Sequence, residues 1–346
     1  MPEQRALVTG AAGFMGARMC EHLVEEGYDV VGTDLPEADR SAIEDLDMEF
    51  EPADLTDPET IEDAVEDVEL VFHTAAIFSY SSLLDWETFQ EINVEGTRHL
   101  CDALLDEDVE AMIHWSTSGV YGPPQTELLP VTEDHPKNPI SNYDKSKWEQ
   151  EQVAMRYEED YGLPSKAIRP VPVYGPGNTY GAADMFVAIA RGYLKVYPTF
   201  ADHKFPLVHL EDVTRAADHL VDHGESGEAY NLVDEQNYSM NRVIKYVAGL
   251  TGQRIYGLPV GDSAYRFIDG VKDFVTALEV AYDKLGREPP FERDALFYAK
   301  GNYWISNEKI SETGFSFDYP SYEDGVRETI EWLQAEGHIE AEQGVI

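Results

Sequence analysis

The nine residues "VTGAAGFMG", Val8 to Gly16, constrain this chain more than any other stretch. "RALVTG" reads as a buried strand, and the apolar spacing from Phe14 to Gly27 reads as a helix. Gly10, Gly13 and Gly16 therefore fall on a strand-to-helix turn. Missing side chains let the backbone close tightly there. Phe14 and Met15 open the helix, whose N-terminal N–H groups and partial positive charge suit an anion such as a pyrophosphate. Three glycines alone are a weak signal, because turns are rich in glycine. Asp34 strengthens it, ending a second strand, "DVVGTD", 24 residues beyond Gly10. A carboxylate at that place accepts hydrogen bonds from both ribose hydroxyls and repels a 2′-phosphate, which favours NAD over NADP. Arg40 lies near enough to keep that preference open, and a plain strand-end turn is the blander reading of Asp34.

The rest of the first half repeats the alternation. "MEFEPAD" is expected as a third strand, and "ELVFHTAA" and "AMIHWSTSGVYG" follow after helical stretches. "SKAIRPVPVYGPG" adds another strand, closed by a Gly/Pro turn. This order predicts an α/β fold, a doubly wound parallel sheet that binds ligands at the carboxyl ends of its strands. Asp54 and Leu55 end the third strand, where an adenine edge would lie. Thr74, Ala75 and Ala76 end the fourth with small side chains, leaving room for a cofactor against the backbone. His73 reads as a satisfied core histidine.

Beyond Gly175 the pattern is less regular. "MFVAIARGYL" and "EDVTRAADHLVDHG" read as helices, "EAYNLV" as a strand, and the C-terminal stretch ends in a capped amphipathic helix. The expected division is residues 1–174 as the cofactor domain. Residues 175–346 form mostly a smaller substrate lobe, with some returns to the sheet. In "AYRFIDGVKDFVTALEVAY", Phe267, Val271, Phe274, Leu278 and Ala281 recur at helical spacing, while Arg266, Asp269, Lys272 and Asp273 interrupt any membrane span. A packed or lid helix is the favoured reading and membrane association the alternative.

Composition excludes several classes. At 346 residues, with 43% hydrophobic and 11% aromatic side chains, the chain can bury a sizeable core. Against 25 Lys+Arg stand 67 Asp+Glu, a formal net charge of -42. Such a surface repels itself in dilute buffer, whereas at 1 M salt the Debye length falls to about 3 Å. The acids are scattered rather than blocked, which points to a halophilic enzyme rather than an acidic tail, and charge repulsion disfavours nucleic acid as a partner. Cys20 and Cys101 lack a CxxC spacing and read as buried thiols of a reducing compartment. No signal-peptide pattern or apolar run of 18 residues is present, so a cytoplasmic protein without a membrane span is expected. Neither HExxH nor clustered His/Cys/Asp at ligand spacing occurs, so no metal is expected.

"NYDKSKWEQE" carries the chemistry. On a helix, Lys147 shares a face with Tyr143 and Lys145 points away. An ammonium one turn from a phenol suits an activated acid–base, although a surface Tyr/Lys pair fits the local spacing equally well. Company decides between them. Gly10-x-x-Gly13-x-x-Gly16, His73-Thr-Ala-Ala76, "NVEGT" at Asn93, "STSGVYG" at Ser116, Tyr143-x-x-x-Lys147, "RPVPVYGPG" at Arg169 and "VHLEDV" at Val208 occur in one order. Together they resemble the extended short-chain dehydrogenase/reductase superfamily, also called the NAD-dependent epimerase/dehydratase family, over nearly the whole chain.

That resemblance implies a Rossmann domain with a C-terminal substrate-binding lobe. It makes Tyr143 the acid–base that exchanges a proton with the substrate oxygen while hydride moves to or from nicotinamide. Lys147 would bind the nicotinamide ribose and, with the oxidised ring, lower a phenol pKa that is ordinarily near 10. Thr117 would hydrogen-bond the substrate oxygen, with Ser116 and Ser118 as neighbours able to substitute. Pro170 and Val173 would meet the nicotinamide end through backbone, and Asn93 would be structural or cofactor-side. His209 and Asp212 would be structural. Relatives commonly form homodimers through two helices, here roughly 84–105 and 141–161.

The same resemblance narrows the reaction. Dehydratases of the superfamily use an Asp-Glu pair after the catalytic Thr, where this chain has Ser118 and Gly119. Pro172 stands where nucleotide-sugar epimerases usually carry an Asn that holds the diphosphate, and only Lys204 stands near their usual arginine. "RPVPVYGPG" is similar to the 3β-hydroxysteroid dehydrogenase and dihydroflavonol reductase branch. The expected substrate walls are Ile77, Phe78, Tyr80, Tyr180 and Met185. The leading expectation is NAD-dependent interconversion of a secondary alcohol and a ketone. The alternatives are a nucleotide-sugar epimerase with tightly bound NAD, and a non-catalytic dinucleotide sensor.

Overall fold

A computed structural model describes residues 4–78, 84–123, 126–199, 203–235, 238–259, 281–282 and 302–340. The expected helix in "AYRFIDGVKDFVTALEVAY" and the wall residue Tyr80 lie outside these residues, apart from positions 281 and 282.

Seven strands form one sheet: β1 (Arg5–Thr9), β2 (Asp29–Thr33), β3 (Glu49–Phe50), β4 (Leu70–His73), β5 (Ala111–Trp115), β6 (Ser165–Pro170) and β10 (Ala229–Leu232). Their order across the sheet is β10-β6-β5-β4-β1-β2-β3, and every pairing is parallel. This is the doubly wound Rossmann-like arrangement expected from the sequence. The chain order reverses between β1 and β4, so the crevice for a ligand opens at their carboxyl ends. Both faces are covered, which is why these strands read as continuous apolar runs. Leu7, Val31, Val71 and Met112 point to one face, under α3 (Gly96–Leu104) and α4 (Asn142–Tyr161). Ala6, Val8, Val30, Leu70, Phe72 and Ile113 point to the other, under α1 (Phe14–Glu26) and α6 (Leu210–His223).

The expected third strand is shorter than "MEFEPAD" implied, because only Glu49 and Phe50 pair with β2. Pro52 follows at once, and a proline has no N–H for a ladder. The helix expected near 84–105 is also not uniform. α2 (Trp86–Phe89) passes into a π-helical turn, Gln90–Glu95, before α3 resumes. That turn carries Asn93.

The second half builds its own core. β7 (Val173–Tyr174) pairs with β9 (Val208–His209), and β8 (Val196–Thr199) with β11 (Tyr256–Pro259). Around them pack α5 (Ala182–Ala190), α7 (Met240–Leu250) and α9 (Tyr322–Ala335), through Phe186, Val243, Val247, Val326 and Leu333. β10, α6 and the short α8 (Glu308–Glu312) return to the large sheet. Cys20 and Cys101 are buried free thiols. No described helix is long and apolar enough to cross a membrane.

Candidate active site

The glycine turn closes through backbone. Gly10 sits at φ +69°, and a Cβ there would lie 2.9 Å from Ala75 Cα. A Cβ on Gly16 would overlap the Gly10 carbonyl, whereas one on Gly13 would meet only Gly10 O, at 3.2 Å. Gly13 N donates to Gly10 O (3.0 Å) and Ala17 N to Gly13 O (2.8 Å). Gly13 is the helix N-cap and provides no side-chain cap. The N–H groups of Phe14, Met15 and Gly16 thus have no helical acceptor of their own. Such a cradle fits a pyrophosphate. Asp34 accepts from Ala12 N at 3.0 Å and from Leu35 N at 2.8 Å, placing its carboxylate at the edge of the turn. Arg40 stacks over Phe50, 4.7 Å from the ring centroid. These residues fit NAD.

Of the other expected cofactor residues, Thr74 and Ala75 lie against the glycine turn. Thr74 donates to Thr9 O (2.7 Å) and Ala75 N to Thr9 Oγ1 (3.3 Å), which fixes the small-residue end of β4 beside Gly10. Ala76 follows, partly exposed. Asp54 turns its carboxylate back on Thr56, accepting from its N at 2.9 Å and its hydroxyl at 2.8 Å. Leu55 packs against Gly96. Pro170 ends β6, and Val173 O accepts from Asn178 Nδ2 at 2.8 Å. Asn93 is buried and spends its amide on Ile77 N (2.8 Å), Ile77 O (3.3 Å) and Ser146 Oγ (2.8 Å). It clamps the loop after β4 to the start of α4.

α4 carries the expected acid–base pair, Tyr143 and Lys147. Ser141 caps it by accepting from Asp144 N at 2.9 Å, so Tyr143 falls on the first turn and Lys147 on the second. Lys147 is 2% exposed while Lys145 is exposed, which settles which lysine shares the inner face. Lys147 Nζ donates to Gln150 Oε1 at 2.6 Å. Thr117 caps the short turn Ser118–Tyr121, its hydroxyl oxygen accepting from Gly119 N at 3.1 Å. Ser116 is buried, and its hydroxyl has no hydrogen-bond partner among the described residues. Ser118 is half-buried beside it.

The electrostatics correct one expectation. The protein's own groups do not depress the Tyr143 phenol. Burial, with Asp144 and Tyr180, pushes it above the ordinary tyrosine range. Lys147 is itself the depressed group: burial pulls its amine down to about 7, against the opposing charge of Glu151. An amine near neutrality is a weak cation for activating a phenol. His73 is fully buried, and its pKa falls to about 3 through burial first and Lys147 second, so it is neutral. It contacts Thr9 Oγ1 (2.7 Å), Thr97 Oγ1 (2.8 Å) and Gln150 Nε2 (2.9 Å), in keeping with its reading as a satisfied core histidine.

Aromatic rings close over Tyr143. Phe78 meets it edge-to-face at 4.8 Å; Phe78 also meets Tyr180 in a tilted contact at 4.9 Å, and Tyr180 meets Phe14 edge-to-face at 5.8 Å. Phe78 and Tyr180 are each 36% exposed. The sequence reading missed two partners. Gln150 follows Lys147 by three positions, a helical spacing that was there to be read. Glu151 holds Arg169 in a buried bidentate pair, Nη2–Oε1 2.5 Å and Nε–Oε2 3.0 Å. His209 stacks on Tyr319 at 3.6 Å, and Asp212 accepts from Asp318 N and Tyr319 N, in keeping with the structural role expected of both. Among the described residues no group of His, Cys, Asp and Glu is arranged to hold a metal ion.

Comparison with known proteins puts this geometry in company. The sequence model of the NAD dependent epimerase/dehydratase family matches residues 6–232. The UDP-glucose 4-epimerase of Mycolicibacterium smegmatis is 31% identical over 262 residues, 72% of this chain and 83% of that protein. The 3β-hydroxysteroid dehydrogenase/Δ5→4-isomerase of Mycobacterium tuberculosis is 28% identical over 279 residues, 76% of this chain and 74% of that protein. The UDP-glucose 4-epimerase of Thermus thermophilus in complex with NAD shares the fold, at TM-score 0.73 and 24% identity, over 96% of this chain and 99% of that one.

Proposed function

The chain belongs to the NAD dependent epimerase/dehydratase family, and from that premise we propose that it interconverts a secondary alcohol and a ketone at Tyr143. The carrying observation is the aromatic cluster in which Phe78 bridges Tyr143 and Tyr180, with Tyr143 on the same helix that buries Lys147. When bound, NAD supplies the hydride acceptor or donor and, when oxidised, a positive charge beside the phenol. Tyr143 moves the proton between its phenol and the substrate oxygen. Because Thr117 Oγ1 already accepts from Gly119 N, its own proton is available to the same substrate oxygen. Lys147 orients the ribose, and Phe78 and Tyr180 exclude water and favour an apolar or modestly polar substrate.

A second reading, a nucleotide-sugar epimerase with retained NAD, is favoured by the 31% identity to a UDP-glucose 4-epimerase. Against it stands Pro172, whose carbonyl accepts from Val208 N and which has no donor for a diphosphate. A metabolite screen in molar KCl, following reduction of added NAD, separates the two. Release of free NADH supports the dehydrogenase, and turnover without it supports the epimerase. Tyr143→Phe should lower kcat by about 100-fold or more. Unchanged turnover in that variant would sink both readings, and a parent that binds NAD without any turnover would leave a dinucleotide sensor.

The net charge of -42 supports a cytoplasm of high salt as the working environment. Exposed Leu105 beyond α3 and Tyr161 at the end of α4 support a homodimer through those helices, to be checked by light scattering in 2 M KCl.

A further inference from the structure

Gln150 lies wholly inside the protein, and its amide has an assignable orientation. Ala75 O, 3.4 Å away, can only accept, so the Gln150 atom facing it is the nitrogen, and the amide oxygen therefore faces Lys147 Nζ at 2.6 Å. The same nitrogen donates to His73 Nε2 at 2.9 Å. His73 is neutral; Thr97 Oγ1 meets the same Nε2 at 2.8 Å, and the other ring nitrogen, Nδ1, meets Thr9 Oγ1 at 2.7 Å. Thr9 also receives Ala75 N and is the last residue of β1, immediately before Gly10. A continuous chain of hydrogen bonds thus runs from the glycine turn through Thr9, His73 and Gln150 to Lys147.

Resting on the reading of Lys147 given above, we propose that Gln150 is a positioning residue that sets the Lys147 amine in register with the cofactor turn. Lys147 Nζ is buried, and among the described residues its side-chain acceptor is the Gln150 amide oxygen. The titratable groups around the amine are Tyr143 and Glu151 on its own helix, His73 on β4 and His114 on β5. Both histidines are pulled below their ordinary range by burial first, so neither competes as a cation. With the amide removed, the four-carbon lysine stem has several rotamers and nothing fixed to choose among them.

The test is NAD affinity by calorimetry at pH 8 in 2 M KCl, on the full chain, with folding checked by circular dichroism. Gln150→Leu keeps the volume and removes both ends of the link. Gln150→Glu keeps an oxygen for Lys147 and loses the donor to His73. A packing role makes Leu harmless and a buried Glu harmful. The positioning role predicts the opposite order, with Leu weakening NAD binding about tenfold and Glu staying within about threefold of the parent. Gln150→Met replaces Leu should that variant fail to fold. Lys147→Met should itself weaken NAD binding, and adding Gln150→Leu to it should cost nothing further. NAD affinity unchanged in Gln150→Leu, or a second tenfold loss in the double variant, overturns the positioning role alone. Lys147→Met binding NAD like the parent overturns the Lys147 reading as well.

Discussion

The two sides of the candidate site are held by different means. On the cofactor side the glycine turn is shaped by backbone against backbone, as Gly10, Gly16 and Ala75 meet with no room for another carbon. On the substrate side Phe78, Tyr143 and Tyr180 meet through side chains from three separate segments, all of them partly exposed. Backbone contacts tolerate almost no substitution, and ring contacts tolerate much. The cofactor side should therefore fail as a unit when changed, and the substrate side should change in degree.

The largest expected effect follows from Gly16. In Gly16→Ala the new Cβ falls on the Gly10 carbonyl and within 2.9 Å of Ala11 Cα, all of it backbone. Unfolding free energy should drop by more than about 4 kcal/mol, read by denaturant titration in 2 M KCl, and NAD binding should vanish. Gly13→Ala, with its single contact at 3.2 Å, should lose about 1 kcal/mol or less. Equal losses in both variants would mean that the turn relaxes more freely than its contacts allow.

Next comes the brace behind the site. Arg169→Met leaves Glu151 buried without its partner and frees the Tyr121 hydroxyl that Arg169 Nη1 now meets at 2.8 Å. Stranding that carboxylate should cost about 3–5 kcal/mol, measured in the same titration. Arg169→Met/Glu151→Leu should recover most of the loss, because the penalty is the unpaired charge rather than the missing ion pair.

Lys147 works with the opposite sign. Its amine is pulled down to about 7 in the folded chain, whereas an unfolded lysine titrates near its ordinary 10.5. Below pH 7 both states carry the proton, and the folded state bears the full cost of a buried cation. Between about pH 7 and 10.5 the unfolded state binds a proton that the folded state has released, so stability rises with pH and then levels off. Lys147→Met should thus stabilise the protein by about 1–3 kcal/mol at pH 6.5, with the gain fading by pH 10. A pH-independent difference between variant and parent would show that the lysine stays charged throughout.

The contrast also decides what could be read from the sequence. The sheet, the glycine turn and the Tyr143/Lys147 face were legible because each follows from a local period: alternation of strand and helix, glycines at a turn, four residues on a helix. Asp34 was legible as a strand end at the right distance from Gly10. Gln150 and His73 were not read as partners, since 77 positions separate them and only the packing of α4 on β4 joins them. The pull of burial on the lysine amine was not read for the same reason. Spacing shows that two side chains share a face, but the depth of that face below solvent comes from the tertiary fold. β3 shrank because Pro52 outweighed the alternation before it.

The smallest expected effect sharpens the comparison most. Phe78→Ala and Tyr180→Ala each remove a ring that is 36% exposed, so each should cost about 1 kcal/mol or less in stability. Their functional effects should differ. Phe78 touches Tyr143 and Tyr180, both on the substrate side, and its loss should raise KM for the substrate several-fold while leaving NAD affinity alone. Tyr180 also sets its ring edge-to-face with Phe14, the first helical residue after the glycine turn. Its loss should raise KM for the substrate and also weaken NAD binding, by about threefold, the equivalent of one lost ring contact. NAD affinity that stays at the parent value in Tyr180→Ala would show that the two sides are energetically separate despite that shared ring. A matching loss in Phe78→Ala would show the reverse: that the aromatic enclosure and the backbone cradle act as one body.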